Sequence, residues 1–261
     1  MTSLQEAMSS DRFLVTAELE PPKGTELEPL AALAQSLGRR LDALVVSDNN
    51  RAQARLDPLA AALLIKERAA CQLVITLTCR DRNRLALTSQ MLAAGAAGFG
   101  NLLLVSGDFV SLGDHPGAKP VYDLDSVQAL DLAGKLASGR DLAGNQLQGA
   151  PSFFLGAGVA PAAQPLALQA LKARKKIQAG ARFLVTRPLA EVAELEALLA
   201  ELGSLEVPLL AGVEVGEALD KDRAAELVKQ IKSGNLARGV HLSAPGDPAG
   251  LEALLDLCGL G

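Results

Sequence analysis

Short, nearly continuous apolar runs alternate with amphipathic stretches from one end of the chain to the other. Strands covered on both faces give such runs, and their alternation with helical periodicity is the pattern of βα units. Eight runs qualify as strands: 13–19, 41–47, 72–79, 101–106, 152–158, 182–186, 208–213 and 238–243. The stretches between them carry helix signals. Thr25 and Glu28 have capping-box spacing, Asp57-Pro58 and Asp247-Pro248 each put a capping carboxylate before a first-turn proline, and Gly203 ends a run with Val192, Leu195, Leu198, Leu199 and Leu202 at helical spacing. Eight such units predict one α/β domain over residues 1–261, a closed (β/α)8 or TIM barrel. An open doubly wound sheet is the competing arrangement. Its glycine fingerprint after the first strand is absent, and Leu19-Glu20-Pro21-Pro22-Lys23-Gly24 stands there instead.

In a barrel, chemistry belongs to the loops after the strands. The stretch 107–125, long and rich in Gly, Asp and Pro, follows the fourth strand and is a site candidate, whereas 139–151 follows a helix and belongs to the opposite face. Polar groups at strand ends are Glu18, Ser47-Asp48-Asn49, Thr78-Cys79-Arg80-Asp81, Ser106-Gly107-Asp108, Thr186-Arg187, Glu214 and His241. Glu18 and Asp108 come from strands that face each other across the mouth, and two acids in different surroundings can act as proton donor and fixed negative charge. Each also has a plainer explanation as a solvated loop acid or helix cap. Cys79 fits a small buried residue better than a nucleophile, and His241 a satisfied core histidine. The cations Lys172, Arg174, Lys175 and Lys176 fit a solvated helix face from which one lysine can reach a phosphate.

Composition narrows the classes. Hydrophobic residues make up 49% of the 261 and charged ones 21%, enough for a large core and too apolar for disorder. A net charge of −5 with 3% aromatics gives neither the basic stripe nor the stacking platforms of a nucleic-acid binder. No apolar run is long enough for a membrane span and residues 1–12 have no signal-peptide core, so the expected location is cytoplasmic. Three scattered cysteines imply reduced thiols, and two distant histidines imply no metal site built by the protein.

The chain also resembles the methylenetetrahydrofolate reductase family, flavoprotein oxidoreductases of one-carbon metabolism and methionine biosynthesis that reduce 5,10-methylenetetrahydrofolate to 5-methyltetrahydrofolate. Ala17-Glu18-Leu19-Glu20-Pro21-Pro22, Leu77-Thr78-Cys79 and Asn101 through Asp108 are similar to the family's first, third and fourth strand endings. Gly113 through Lys119, followed by Val121 through Ser126, is similar to a loop in the branch that can be fused to a homocysteine methyltransferase. Lys176 through Ala181 with Leu184-Val185-Thr186 resembles the region around the sixth strand. The resemblance implies FAD as cofactor and a tetrahydrofolate substrate. It implies Glu18 as the proton donor that opens the methylene bridge and Asp108 as the carboxylate that favours the cationic iminium. Cofactor contacts would come from Ser47, Thr78, Ser106, Gly107, Asp108, Ala118, Tyr122 and, at the diphosphate, Lys176. Glu18, Asp108 and Arg187 would meet the substrate.

Departures fall on the substrate side. The family's Gln after the sixth strand is Arg187, the following aromatics are Pro188-Leu189, a third-strand His is Thr76, and the pattern after the fifth strand reads Ala160-Pro161-Ala162-Ala163-Gln164-Pro165. No counterpart is found past the seventh strand for the Phe that helps sandwich nicotinamide or pterin. FAD binding is therefore implied more strongly than NAD(P)H use, and electrons from NAD(P)H or from a protein donor both fit. The alternatives are a flavin- or folate-binding subunit that works only in a complex with an electron-donor or methyltransferase partner, and a pterin-binding barrel serving methyl transfer to a corrinoid protein. Either a homo-oligomer or a hetero-complex is compatible with the sequence.

Overall fold

The structure is a computed structural model that describes residues 2–216 and 218–260. Eight parallel strands close on themselves in sequence order. They are β1 (Leu14–Leu19), β2 (Ala43–Val46), β3 (Gln72–Thr78), β4 (Asn101–Val105), β5 (Phe154–Val159), β6 (Phe183–Thr186), β7 (Leu209–Glu214) and β8 (Gly239–Ser243). Closure is made by β1 against β8, with Leu14 opposite Gly239 and Thr16 opposite His241. The outer helices are α2 (Glu28–Gly38), α3 (Pro58–Ile65), α4 (Arg84–Ala96), α5 (Ser126–Ala137), α6 (Leu166–Gln178), α7 (Val192–Leu202), α8 (Lys221–Ser233) and α9 (Pro248–Leu257). The barrel is thus confirmed over the open sheet.

A further helix, α1 (Leu4–Ser9), precedes the barrel. It is too short to show as a periodic segment in sequence, yet Leu4, Ala7 and Met8 pack with Leu14, Ala43, Val45, Val74, Leu103, Phe183, Val185 and Leu210. It therefore plugs the end of the barrel where the strands begin. Asp57 and Asp247 cap α3 and α9, and Gly203 ends α7, as expected. The Thr25 capping box does not form. The chain enters α2 through Leu27 with no side-chain cap, and Pro29 sits in the first turn.

Alternation along each strand sends every second residue inward. Near the strand starts these inward positions hold apolar groups, and Phe183 lies stacked on Phe154 with ring centroids 5.4 Å apart. Phe183 occupies the space above Gly156, where a Cβ would fall 2.2 Å from its ring. Toward the strand ends the same register carries Glu18, Ser47, Thr76, Thr78, Glu214, His241 and Ser243, all lining one cavity. The barrel is dry at one end and polar at the other.

The seam between β1 and β8 admits no side chain at Gly239, where a Cβ would meet the Leu14 carbonyl oxygen at 2.1 Å. Gly239→Ala should destabilise the protein by about 2 kcal/mol, as overpacking against rigid neighbours does. Gly24→Ala, with nothing within 4 Å of its Cβ, should leave the urea midpoint unmoved. Equal midpoints for the two variants would refute the seam argument.

Candidate active site

The cavity at the strand ends has a volume of about 780 Å³, within the usual range for small-molecule sites. Glu18 projects into it from the end of β1, and its Oε1 accepts a hydrogen bond of 2.7 Å from Asn50 Nδ2. Burial pushes its carboxyl up to about 7, with the nearby carboxylates Glu20 and Glu214 adding to the shift and Asn50 and Arg51 opposing it. Asp108 lines the same cavity from the loop after β4. Its Oδ1 accepts 2.6 Å from Arg187 Nη1, and its Oδ2 accepts 3.2 Å from the backbone N–H of Arg51. Glu214, at the end of β7, accepts 2.5 Å from Arg51 Nη2 and 3.3 Å from the Ser243 hydroxyl.

The consecutive residues Asn50 and Arg51 thus touch carboxylates from three separate strand ends. Their loop is contorted. Asn49, Arg51 and Ala52 have φ of 46°, 55° and 56°, a left-handed conformation that costs a residue with a side chain about 1 kcal/mol or more. It is held from below by Arg80, a fully buried arginine that forks onto Asp81 with two bonds of 2.7 Å and donates to the carbonyls of Asn49 at 3.1 Å and Asp108 at 3.2 Å. Beside it, Arg82 Nη1 pairs at 2.5 Å with the buried Asp48, which also accepts from the Thr78 N–H at 2.8 Å. Neither Asn50 nor Arg51 was marked by the sequence, although a run of asparagines after a strand is a signal for left-handed backbone.

The other expected residues fall into two groups. Ser47, Thr78, Ser106, Gly107, Lys176 and Arg187 line the cavity with Glu18 and Asp108. The buried Ser47 hydroxyl has no partner. The Thr78 hydroxyl donates to the Asp48 carbonyl at 3.2 Å, and Ser106 Oγ donates to Ser126 Oγ at 3.4 Å. Gly107 has φ of 90°, and a Cβ there would lie 2.4 Å from Thr78 Cγ2. Lys176 Nζ donates to the Gly158 carbonyl at 2.6 Å, and burial, followed by the charge of Lys172, lowers its proton affinity. Ala118 and Tyr122 lie outside the cavity lining on the exposed loop, where Tyr122 donates to the Asp108 carbonyl at 3.4 Å. Cys79 is buried and its thiol is pushed up to about 12, so it is no nucleophile. His241 lies at the cavity floor against Thr16 Oγ1 at 3.1 Å, and burial holds its imidazole down at about 4.

Residues 3–215 match the description of methylenetetrahydrofolate reductase. The chain belongs to the methylenetetrahydrofolate reductase family. No curated protein matches it. Among solved structures it is similar to a Clostridium thermocellum protein described as binding two copies of 5-methyl-5,6,7,8-tetrahydrofolic acid, with 12% identity, 97% of this chain and 96% of that one covered, and a TM-score of 0.67. EDTA monooxygenase from Chelativorans sp. BNC1 matches at 13% identity over 95% and 92% of the two chains with a TM-score of 0.64. Phosphonopyruvate hydrolase matches at 14% over 97% and 83% with a TM-score of 0.62. At these identities the likeness is one of fold. Among the described residues no helix is long and apolar enough to cross a membrane, and no group of three His, Cys, Asp or Glu side chains is placed to hold a metal ion.

In this family member Glu18 and His241 pull stability in opposite directions as pH changes. Between pH 4.5 and 7 the folded chain keeps a proton on Glu18 that the unfolded chain has released, so this residue makes stability fall as pH rises. Between pH 4 and 6.5 the unfolded chain holds a proton on His241 that the folded chain lacks, so this one makes stability rise. Glu18→Gln should leave the rise alone, and His241→Asn should leave the fall. Urea midpoints from pH 4.5 to 7 measure both, and profiles parallel to the parent protein in both variants would sink the assignment.

Proposed function

We propose that this chain binds FAD and a reduced folate at the β-strand C-terminal mouth and reduces 5,10-methylenetetrahydrofolate to 5-methyltetrahydrofolate. The observation that carries this reading is Glu18, a carboxyl pushed up to about 7 in a mouth it shares with Asp108. Opening a methylene bridge between two nitrogens requires a proton at the departing nitrogen, and an acid of that strength is both protonated and willing to donate near neutrality. Asp108, as a carboxylate, favours the positive charge that then develops on the substrate. Arg187, paired with Asp108 at 2.6 Å, presents donors to the pterin's polar edge.

The residues present fit a flavin. The buried Ser47 hydroxyl has no partner in the protein, Gly107 brings backbone to the cavity wall, and Lys176 keeps two donors beyond its bond to Gly158 for a diphosphate. Bound there and reduced by NAD(P)H or a protein donor, the flavin would supply the hydride. The solved barrel from Clostridium thermocellum supports the capacity of this fold to hold 5-methyltetrahydrofolate.

A second reading, a flavin- or folate-binding subunit that receives electrons from a partner protein, is favoured by one feature. Among the described residues no Phe, Tyr or Trp side chain lines the cavity, so the protein offers no such ring to stack against a nicotinamide.

The test is oxidation of 5-methyltetrahydrofolate by an artificial electron acceptor after reconstitution with FAD. Glu18→Gln should lose turnover by about a hundredfold or more, the scale of general acid catalysis, while binding FAD as tightly as the parent. A variant that turns over at the parental rate, or a parent protein that binds folate but no flavin, would overturn the proposal. Reduction of the bound flavin by NADH or NADPH alone would remove the partner-dependent reading.

A further inference from the structure

Arg51 compensates one mouth carboxylate with its side chain while its own backbone holds another. Its guanidinium reaches from the loop after β2 to Glu214 at the end of β7, at 2.5 Å, and its N–H meets Asp108 Oδ2 at 3.2 Å. The preceding residue, Asn50, holds Glu18 at 2.7 Å. The left-handed backbone at Asn49, Arg51 and Ala52 brings these contacts together, and Arg80 secures the loop through the Asn49 carbonyl.

Resting on the reading of Glu18 as the acid, we propose that Arg51 is a positioning residue that neutralises Glu214 and so sets the electrostatic field in which Glu18 holds its proton. The groups that face Glu18 are few. Glu20 beyond its own strand end and Glu214 from β7 are acids, Arg51 is a cation, Asn50 is a neutral donor, and His241, backed by Thr16, lies below them at the floor. Glu214 is held by Arg51 and Ser243, and the share of its charge that Glu18 feels depends on the guanidinium beside it. Removing the guanidinium exposes Glu18 to that charge in full. Removing both cancels the change.

The experiment reads Glu18 directly in the ligand-free protein, as the carboxyl-carbon NMR titration assigned by comparison with Glu18→Gln. Arg51→Gln should move the midpoint upward by about one pH unit, at the lower end of the effect of a nearby opposite charge. Arg51→Lys, which keeps the charge, should titrate close to the parent, and Arg51→Gln/Glu214→Gln should return to it. A loop with only a structural role would show no such return. Should Arg51→Gln fail to fold, Glu214→Gln alone reads the same field and should move the midpoint downward. An unmoved midpoint in either single variant, or a double variant that stays with Arg51→Gln, overturns the proposal. The pH profile of folate turnover separates it from the function assigned above. A titration that moves while the turnover profile stays put leaves Arg51 in its role and removes Glu18 from the proton transfer.

Discussion

Glu18, Asp108 and Glu214 share one mouth with Asp48 and Asp125, and the structure around them is organised by the need to keep these acids there. Charges of one sign crowded into a partly dry space repel one another, and each loses hydration. Asp108 and Glu214 are each compensated by an arginine, whereas Glu18 receives only an amide from Asn50. Burial, with the charges of Glu20 and Glu214 behind it, raises the Glu18 carboxyl, and no arginine hydrogen-bonds to it to offset the shift. An arginine on Glu18 in place of Asn50 would leave no proton to donate at neutral pH.

That distribution follows from the barrel. Inward register positions alternate with outward ones on every strand, and the inward set changes from Leu14, Ala43, Val74 and Leu103 at the strand starts to Glu18, Ser47, Thr78 and Glu214 at the ends. With α1 closing the apolar end, a polar ligand finds partners only at the opposite end. Glycines at inward positions do separate work. Gly156 makes room for Phe183, and Gly239 lets β1 close on β8, so the cylinder shuts without intruding on the cavity.

Much of this is legible in the amino-acid sequence. Strands covered on both faces are nearly all apolar, so their ends announce themselves wherever a polar residue follows, and the rule that chemistry sits after strands put Glu18 and Asp108 at one mouth. What stayed hidden has physical causes. The apolar face of α1 is three residues, too few to register as a period, and Thr25 lost its cap to a chain that enters α2 at Leu27. Arg80 belongs to a residue type that is mostly exposed, and nothing in its neighbours tells that two backbone carbonyls wait for it inside. Asn50 and Arg51 depend on left-handed torsions that apolar patterning cannot report. Ala118 and Tyr122 were implied by resemblance alone, and both stand outside the cavity lining although Gly107 and Asp108 of the same loop belong to it.

The arginines of the site divide by exposure, and the division bears on how the mouth admits a ligand. Arg80 is almost wholly enclosed and Arg82 pairs with an Asp48 side chain that is 1% exposed, so breaking either contact would strand a buried charge. Arg187 and Arg51 are 63% and 50% exposed, and pairs so open to water contribute at most about 1 kcal/mol. The enclosed pair therefore holds the loops, while the open pair can release its acids to an incoming ligand at small cost. The two exchangeable arginines are the ones on Asp108 and Glu214, the acids that flank Glu18. Compensation is thus firm where the scaffold needs it and loose where a developing positive charge on a substrate would have to take an arginine's place.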